Sequence, residues 1–131
     1  MIKRKDGQFG LHFDMHAQNY TKGIGSDFDS KVIEDICSTI KPDYIQVDTK
    51  GHPGYSSYPT LVGVQAPEIK KDILKIWREV TKKHGILLIA HHSGIIDGAQ
   101  VKLHPEWAIV DENGNVSDER TSIFSDYSKK F

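Results

Sequence analysis

At 131 residues, with 37% apolar and 27% charged side chains, the sequence has the size and composition of a single globular domain spanning residues 1–131. The 17 basic and 18 acidic residues give a net charge of −1 with no basic block, which argues against nucleic acid or an anionic membrane as partner. The single cysteine, Cys37, rules out an internal disulfide, and no apolar stretch approaches the roughly 20 residues of a membrane span.

The first residues, Met1-Ile2-Lys3-Arg4-Lys5-Asp6, are charged and lack the apolar run of a signal peptide, so a cytoplasmic location is expected. Residues 9–16 then alternate, with Leu11, Phe13 and Met15 on one side and His12, Asp14 and His16 on the other, which predicts a strand. If the apolar side packs on helices, the polar side points inward, toward the strand's C-terminal mouth. Residues 17–29 are polar and hold Gly23 and Gly25, as a loop does. Asp27, Asp29 and Ser30 offer capping chemistry for a helix whose apolar face is Val32, Ile33, Ile36, Cys37 and Ile40, closed by Pro42. On that face Cys37 reads as a packed core thiol.

Residues 44–48 form a second predicted strand, with Ile45 and Val47 on one side and Gln46, Asp48 and Lys50 on the other. It delivers a Gly/Pro-stiffened loop rich in rings. Pro67 and Glu68 suit the first turn of a second helix, whose buried stripe is Ile69, Ile73, Ile76, Trp77 and Val80, with Lys70, Lys71, Lys75, Lys82 and Lys83 solvated. Gly85 ends it. Residues 86–90 are a continuous apolar run, the pattern of a parallel strand covered on both sides, with His91 and His92 at its exit. Those two point to opposite sides, so one of them reaches the inner face. His84, near the helix end, is expected to interact with the last carbonyls. A long segment follows in which Asn113-Gly114 marks a turn and predicts a small hairpin, the whole forming a lid or one wall of a pocket, and a last helix begins near Ser125.

Strands joined by helices argue for right-handed βαβ units. A closed (β/α)8 TIM-type barrel needs about 250 residues, so the α/β fold expected here is a partial barrel of about three units with a long loop after strand three.

The loop Lys50-Gly51-His52-Pro53-Gly54-Tyr55-Ser56-Ser57-Tyr58-Pro59-Thr60 resembles the second-strand motif of the α-L-fucosidase-like glycoside hydrolases, Lys-His-His-Asp-Gly-Phe-x-x-Trp-Pro-Ser. Lys50, His52, Gly54 and Pro59 match it, while Gly51 and Pro53 stand where it has His and Asp. Nearly the whole chain is similar to uncharacterised barrel glycosidases related to the fucosidases, through Phe9-Gly10-Leu11-His12-Phe13-Asp14, Tyr58-Pro59-Thr60, Ile76-Trp77-Arg78-Glu79-Val80 and His104-Pro105-Glu106-Trp107. The resemblance implies an N-terminal part of such a barrel that lacks the strand bearing the catalytic Asp nucleophile. Counting from Phe9-Gly10, Asp14 stands where the fucosidases carry a sugar-binding His.

Retaining glycoside hydrolysis needs two carboxyl groups about 5–5.5 Å apart, and Asp14 with Asp48 are the candidate pair. Asp97 and Glu106 are further acids. Gripping a sugar calls for rings and hydroxyl-binding polar groups, supplied by His12, Asp14, His16, Lys50, His52, Tyr55, Tyr58, His91 and Trp107. Lys102 and His104 stay unassigned. A carbohydrate is the expected ligand, with no cofactor and no metal, and the rest of a barrel or self-association is expected to cover the open edges. Two alternatives remain: a metal-dependent hydrolase built from inward-facing His and Asp, and a non-catalytic carbohydrate-binding remnant.

Overall fold

The structure, a computed structural model, describes residues 6–131, so the charged N-terminal stretch lies largely outside it. Three parallel strands organise the chain: β1 (Gly10–Phe13), β2 (Tyr44–Lys50) and, between the second helix and the C-terminal segment, a strand at Leu87–His92. Helix α1 (Ser30–Thr39) links the first two strands, and helix α2 (Ile73–Lys83) links the second to the third. Two short strands, β3 (Tyr55–Ser56) and β4 (Val64–Gln65), extend the sheet past the end of β2, and the third long strand is therefore β5. β2 lies between β1 and β5, so the long strands follow one another in space in the order of the chain.

Alternation along the strands divides the sheet into two unlike faces. On one, Ile45 and Val47 are fully buried against Ile33 and Cys37 of α1 and Trp77 and Val80 of α2, with Leu11, Phe13 and Leu88 around them. Each such side chain contributes about 1.5–3 kcal/mol by leaving water. Phe13 and Phe28 lie against the Trp77 ring, at centroid distances of 4.8 and 6.3 Å. Both helices cover this same face and pack on each other, as in one section of a barrel wall. Among the described residues the sheet does not close, and neither helix covers its other face.

Local chemistry sets the helix ends, and here the structure corrects the sequence reading. The Asp29 carboxylate caps α1 by accepting from the Lys31 amide at 2.9 Å, but Val32 and Ile40 are exposed, because α1 turns only its Ile33–Cys37 stripe to the sheet. Lys41 takes the left-handed conformation (φ 52°) that stops the helix before Pro42. α2 starts later than expected, at Ile73, with Asp72 accepting from the Lys75 amide. Residues 68–71 are instead stitched to the preceding loop, since the Lys70 and Lys71 amides donate to the Ile24 carbonyl and Ile24 donates to Glu68. The His84 imidazole pairs with Glu34 of α1 at 2.6 Å, and its backbone amide is the group that donates to a carbonyl of its own helix, that of Val80.

β5 is also corrected. Covering on both sides is the expectation for residues 86–90, yet Leu87, Leu88 and Ile89 are only half-buried and Ala90 is exposed, because both helices lie on one face. The segment after β5 is more structured than a loop. It contains α3 (Gly98–Leu103), a 3-10 turn (Pro105–Trp107), the hairpin β6 (Ala108–Val110) with β7 (Val116–Thr121), and α4 (Tyr127–Lys130). The expected turn is present: Gly114 has φ 84°, and Asp111 accepts from the Asn113 and Asn115 amides. Among the described residues, no helix is long and apolar enough to cross a membrane.

Candidate sugar-binding rim

The open face of the sheet carries the polar residues in rows. His12 lies beside Gln46 across the β1–β2 pair, and Asp48 lies beside His91 across the β2–β5 pair. Past the end of β1 the chain keeps its alternation, which brings Asp14 and His16 to the same end.

Asp48 is the hub of this end. Only 2% exposed, it has His12 Nε2 at 3.2 Å from one carboxylate oxygen and His16 Nε2 at 3.1 Å from the other. His16 Nδ1 is in turn 3.4 Å from Asp14 Oδ1. The ring of His91 lies 6.3 Å from that of His12, and the ring of His52 lies 5.6 Å from that of His16. His91, His12, Asp48, His16 and His52 thus form a continuous rim. Gly51 makes room for it, because a Cβ there would overlap the His16 ring. Such overlap can be relieved only by moving the ring or the loop.

The other expected residues lie elsewhere. Lys50 shares the parity of Asp48, but the β2–β5 register shifts between the two, and the irregularity re-aims Lys50. Its ammonium is buried against Asp97 Oδ2 at 2.5 Å and the Tyr127 hydroxyl at 3.2 Å, away from the rim. Tyr127 donates to Asp97 at 3.0 Å, and burial together with the Asp97 carboxylate pushes its phenol well above the usual value. Asp97 also caps α3 through the Gln100 amide, and Gly54 (φ 87°) lets it approach, since a Cβ there would overlap the carboxylate. Trp107 is buried, stacked on His104 at 3.8 Å, with the Lys130 ammonium 4.9 Å from its ring centre. Tyr55 is half-buried and lines a groove beside His52, whereas Tyr58 is half-buried outside that groove. Partial burial and the Lys50 charge hold the His92 imidazole below its usual value.

The carboxylates are not arranged for double displacement. Oxygens of Asp14 and Asp48 come within 4.8 Å of each other, but the His16 imidazole fills the space between them that an anomeric carbon would need. Glu106 is exposed, and its own amide and His104 hold its carboxyl below the usual range, which makes it a poor proton donor at neutral pH. The same Asp14, His16 and Asp48 atoms are close enough to be considered for a metal. Yet His16 offers a different nitrogen to each carboxylate, and opposite edges of one ring do not converge on a single ion.

In comparison with solved structures, 92% of the chain matches α-L-fucosidase isoenzyme 2 from Paenibacillus thiaminolyticus, with a TM-score of 0.81 and 19% sequence identity. The fold is that of part of an α-L-fucosidase. The match covers 20% of the fucosidase chain, so the present chain spans about a fifth of its length. At this identity the likeness to the fucosidase concerns the fold, and function has to be argued from the residues above. No family model matches the sequence, and no curated protein matches it.

Sequence reasoning missed two parts of this end of the molecule. The bridging of Asp14 and Asp48 by His16 joins residues far apart in the chain, although the alternation already placed all three on one side. Gln18, Asp118 and Glu119, which line the groove beside His52, carried no motif at all.

Proposed function

We propose that this chain forms one wall of the sugar-binding site of a fucosidase-like glycoside hydrolase, and that it does not turn over glycosides by itself. The observation that carries this reading is the rim of four imidazoles around the buried Asp48, at the C-terminal ends of strands that follow one another in chain order. That is the end at which barrel enzymes hold their ligands. With both of its oxygens engaged, Asp48 orients His12 so that its other ring nitrogen meets sugar hydroxyls, while His16, engaged at both nitrogens, braces Asp14 and Asp48. The fold likeness to part of an α-L-fucosidase supports the substrate class. A barrel of this kind acts by double displacement, for which a nucleophile would come from outside this chain.

Two measurements on the purified chain test the reading. Titration with methyl α-L-fucoside, followed by NMR, should shift the signals of His12, His16 and His52. A panel of aryl glycosides should show no cleavage above buffer. Turnover by the isolated chain would refute the second half of the proposal, and a titration that leaves the rim unmoved would refute the first.

A metal-dependent hydrolase is the second reading, favoured by the closeness of Asp14, His16 and Asp48. Metal analysis and a zinc-dependent rise in Tm decide it, because a site that binds only the folded chain raises Tm by mass action. A non-catalytic carbohydrate-binding domain would share the titration result and differ only in that no larger assembly containing the chain is active.

A further inference from the structure

Ring opening of a free sugar asks less of a protein than cleavage of a glycoside. Nothing departs, no covalent intermediate forms, and no second carboxylate is needed. A base takes the proton of the anomeric hydroxyl, and a donor steadies the ring oxygen as its bond to the anomeric carbon breaks. Three residues of the rim, each on a different strand of one sheet, are placed for these tasks. His12 of β1 meets Asp48 of β2 through Nε2 at 3.2 Å, and His91 of β5 is the register partner of Asp48. A carboxylate only accepts, so Nε2 of a neutral His12 carries the hydrogen and Nδ1 presents its lone pair. The Asp48 side chain is 2% exposed and that of His12 52%, so the partner is sheltered while the imidazole is open to a ligand. The exposed His91 ring is tilted 59° to that of His12, and the Thr49 hydroxyl holds its backbone by donating to the His91 carbonyl at 2.7 Å. With centres 6.3 Å apart, both rings can reach the two oxygens that share an anomeric carbon. His16, engaged at both nitrogens, is free for neither role.

We propose that the His12–Asp48 pair, with His91 beside it, interconverts the anomers of a reducing sugar. The inference rests on the sugar-binding reading of the rim and adds an activity that the isolated chain can carry, because no residue from outside it is required. His12 Nδ1 takes the anomeric proton, and the electron pair left on that oxygen forms the carbonyl bond. The pair of the broken ring bond passes to the ring oxygen, which accepts a hydrogen bond from His91 and takes a proton from solvent water. After rotation about the bond to the aldehyde carbon, the same hydroxyl adds to the other face of the carbonyl and returns its proton to the solvent. His12 then gives its own proton to the new anomeric oxygen, so no atom or electron is gained or lost. Asp48 is a positioning residue: it fixes the His12 tautomer and balances the imidazolium that forms in between.

The test is polarimetry on freshly dissolved α-L-fucose with the purified chain, set beside NMR titration with methyl α-L-fucoside, which has no anomeric hydroxyl and cannot open. The reference is free imidazole at seven times the chain concentration, one ring for each histidine. Anomer exchange should run at least about tenfold faster than this reference, a modest share of what one general base can supply. His12→Gln, which keeps a donor for Asp48, should bring the rate down to the reference, and His91→Gln should lower it at least about threefold. In Asp48→Asn the rate should fall together with the share of His12 that carries hydrogen on Nε2, read from NMR of its ring nitrogens. Rim signals that move with methyl fucoside, without acceleration of fucose, would overturn the inference and leave the rim standing. Acceleration that survives His12→Gln would also overturn it, because other histidines would then be responsible. Neither shift nor acceleration would overturn it together with the reading of the rim.

Discussion

The Lys50 ammonium sits 2.5 Å from the Asp97 carboxylate, and both side chains are only 1% exposed. The pair ties the central strand to the C-terminal segment, 47 residues away in sequence. Removing one partner strands a buried charge. Lys50→Met or Asp97→Asn is therefore expected to cost about 3–5 kcal/mol in urea unfolding, whereas the double variant Lys50→Met/Asp97→Leu should recover most of the loss.

Gly51 offers a way to disturb the rim without touching a polar group. A Cβ at this position meets the His16 ring, while nothing in the Gly51 backbone demands glycine. Gly51→Ala should lower affinity for methyl α-L-fucoside about tenfold, equivalent to roughly 1.4 kcal/mol. Gly54→Ala differs, because its positive φ and its contact with Asp97 make the cost a matter of folding. Thermal unfolding should show a loss of about 1–3 kcal/mol from backbone strain alone.

The rim histidines are exposed, but they differ in what they hold. His91→Ala is expected to change stability by no more than about 0.5 kcal/mol while weakening sugar binding, whereas His12→Ala, which takes a partner from the buried Asp48, should cost about 1–3 kcal/mol as well. Calorimetric titration set against urea unfolding separates the two effects.

Alkaline pH should weaken the fold through Tyr127. Its phenol is raised above the usual value of 10.0 in the folded chain by burial and by Asp97. Such a group stabilises fully below the unfolded value, and that contribution is lost as pH rises past 10.0 toward the folded value. In acid the sign reverses for Glu34, which His84 and then Lys83 hold below 4.5. Its contribution is present above 4.5 and declines as pH falls through the lowered folded value. Stability measured against pH should show both limbs, and Tyr127→Phe should flatten the alkaline one, Glu34→Gln the acid one.

Self-association is expected of the isolated chain. Ile95, Ile109, Ile123 and Phe124 line an apolar cleft, with Phe124 94% exposed, and β5 pairs among the described residues with β2 alone. Apolar surface and open sheet edges both invite further chains. Sedimentation velocity should show mass rising with concentration, and Phe124→Asp should reduce it. A strictly monomeric chain across that range would contradict the expectation.

The period-two patterns at Leu11–Phe13 and Ile45–Val47 made β1, β2 and the side bearing His12, Asp14 and Asp48 legible, because alternation is fixed by strand geometry alone. Lys50 was misplaced by the same rule, since the register shift after Asp48 depends on pairing with β5, which the local sequence does not encode. The partner that buries it, Asp97, looked like one more loop carboxylate. α3 escaped notice because six residues give too little periodicity to register. Covered faces could not be read at β5 either, for a run such as Leu87-Leu88-Ile89-Ala90 does not say how many layers surround it.

The two faces of the sheet also separate two kinds of selection. Residues that hold the helices in place, such as Ile45, Val47 and Trp77, alternate with or stand apart from the polar residues of the rim, such as His12 and Asp48. Distant sites with no shared neighbours behave additively, so ligand preference can drift through the odd-one-out positions of each strand while robustness is left alone. On the proposed sugar-binding reading, a lineage built on this scaffold could therefore try new sugars with little risk of unfolding.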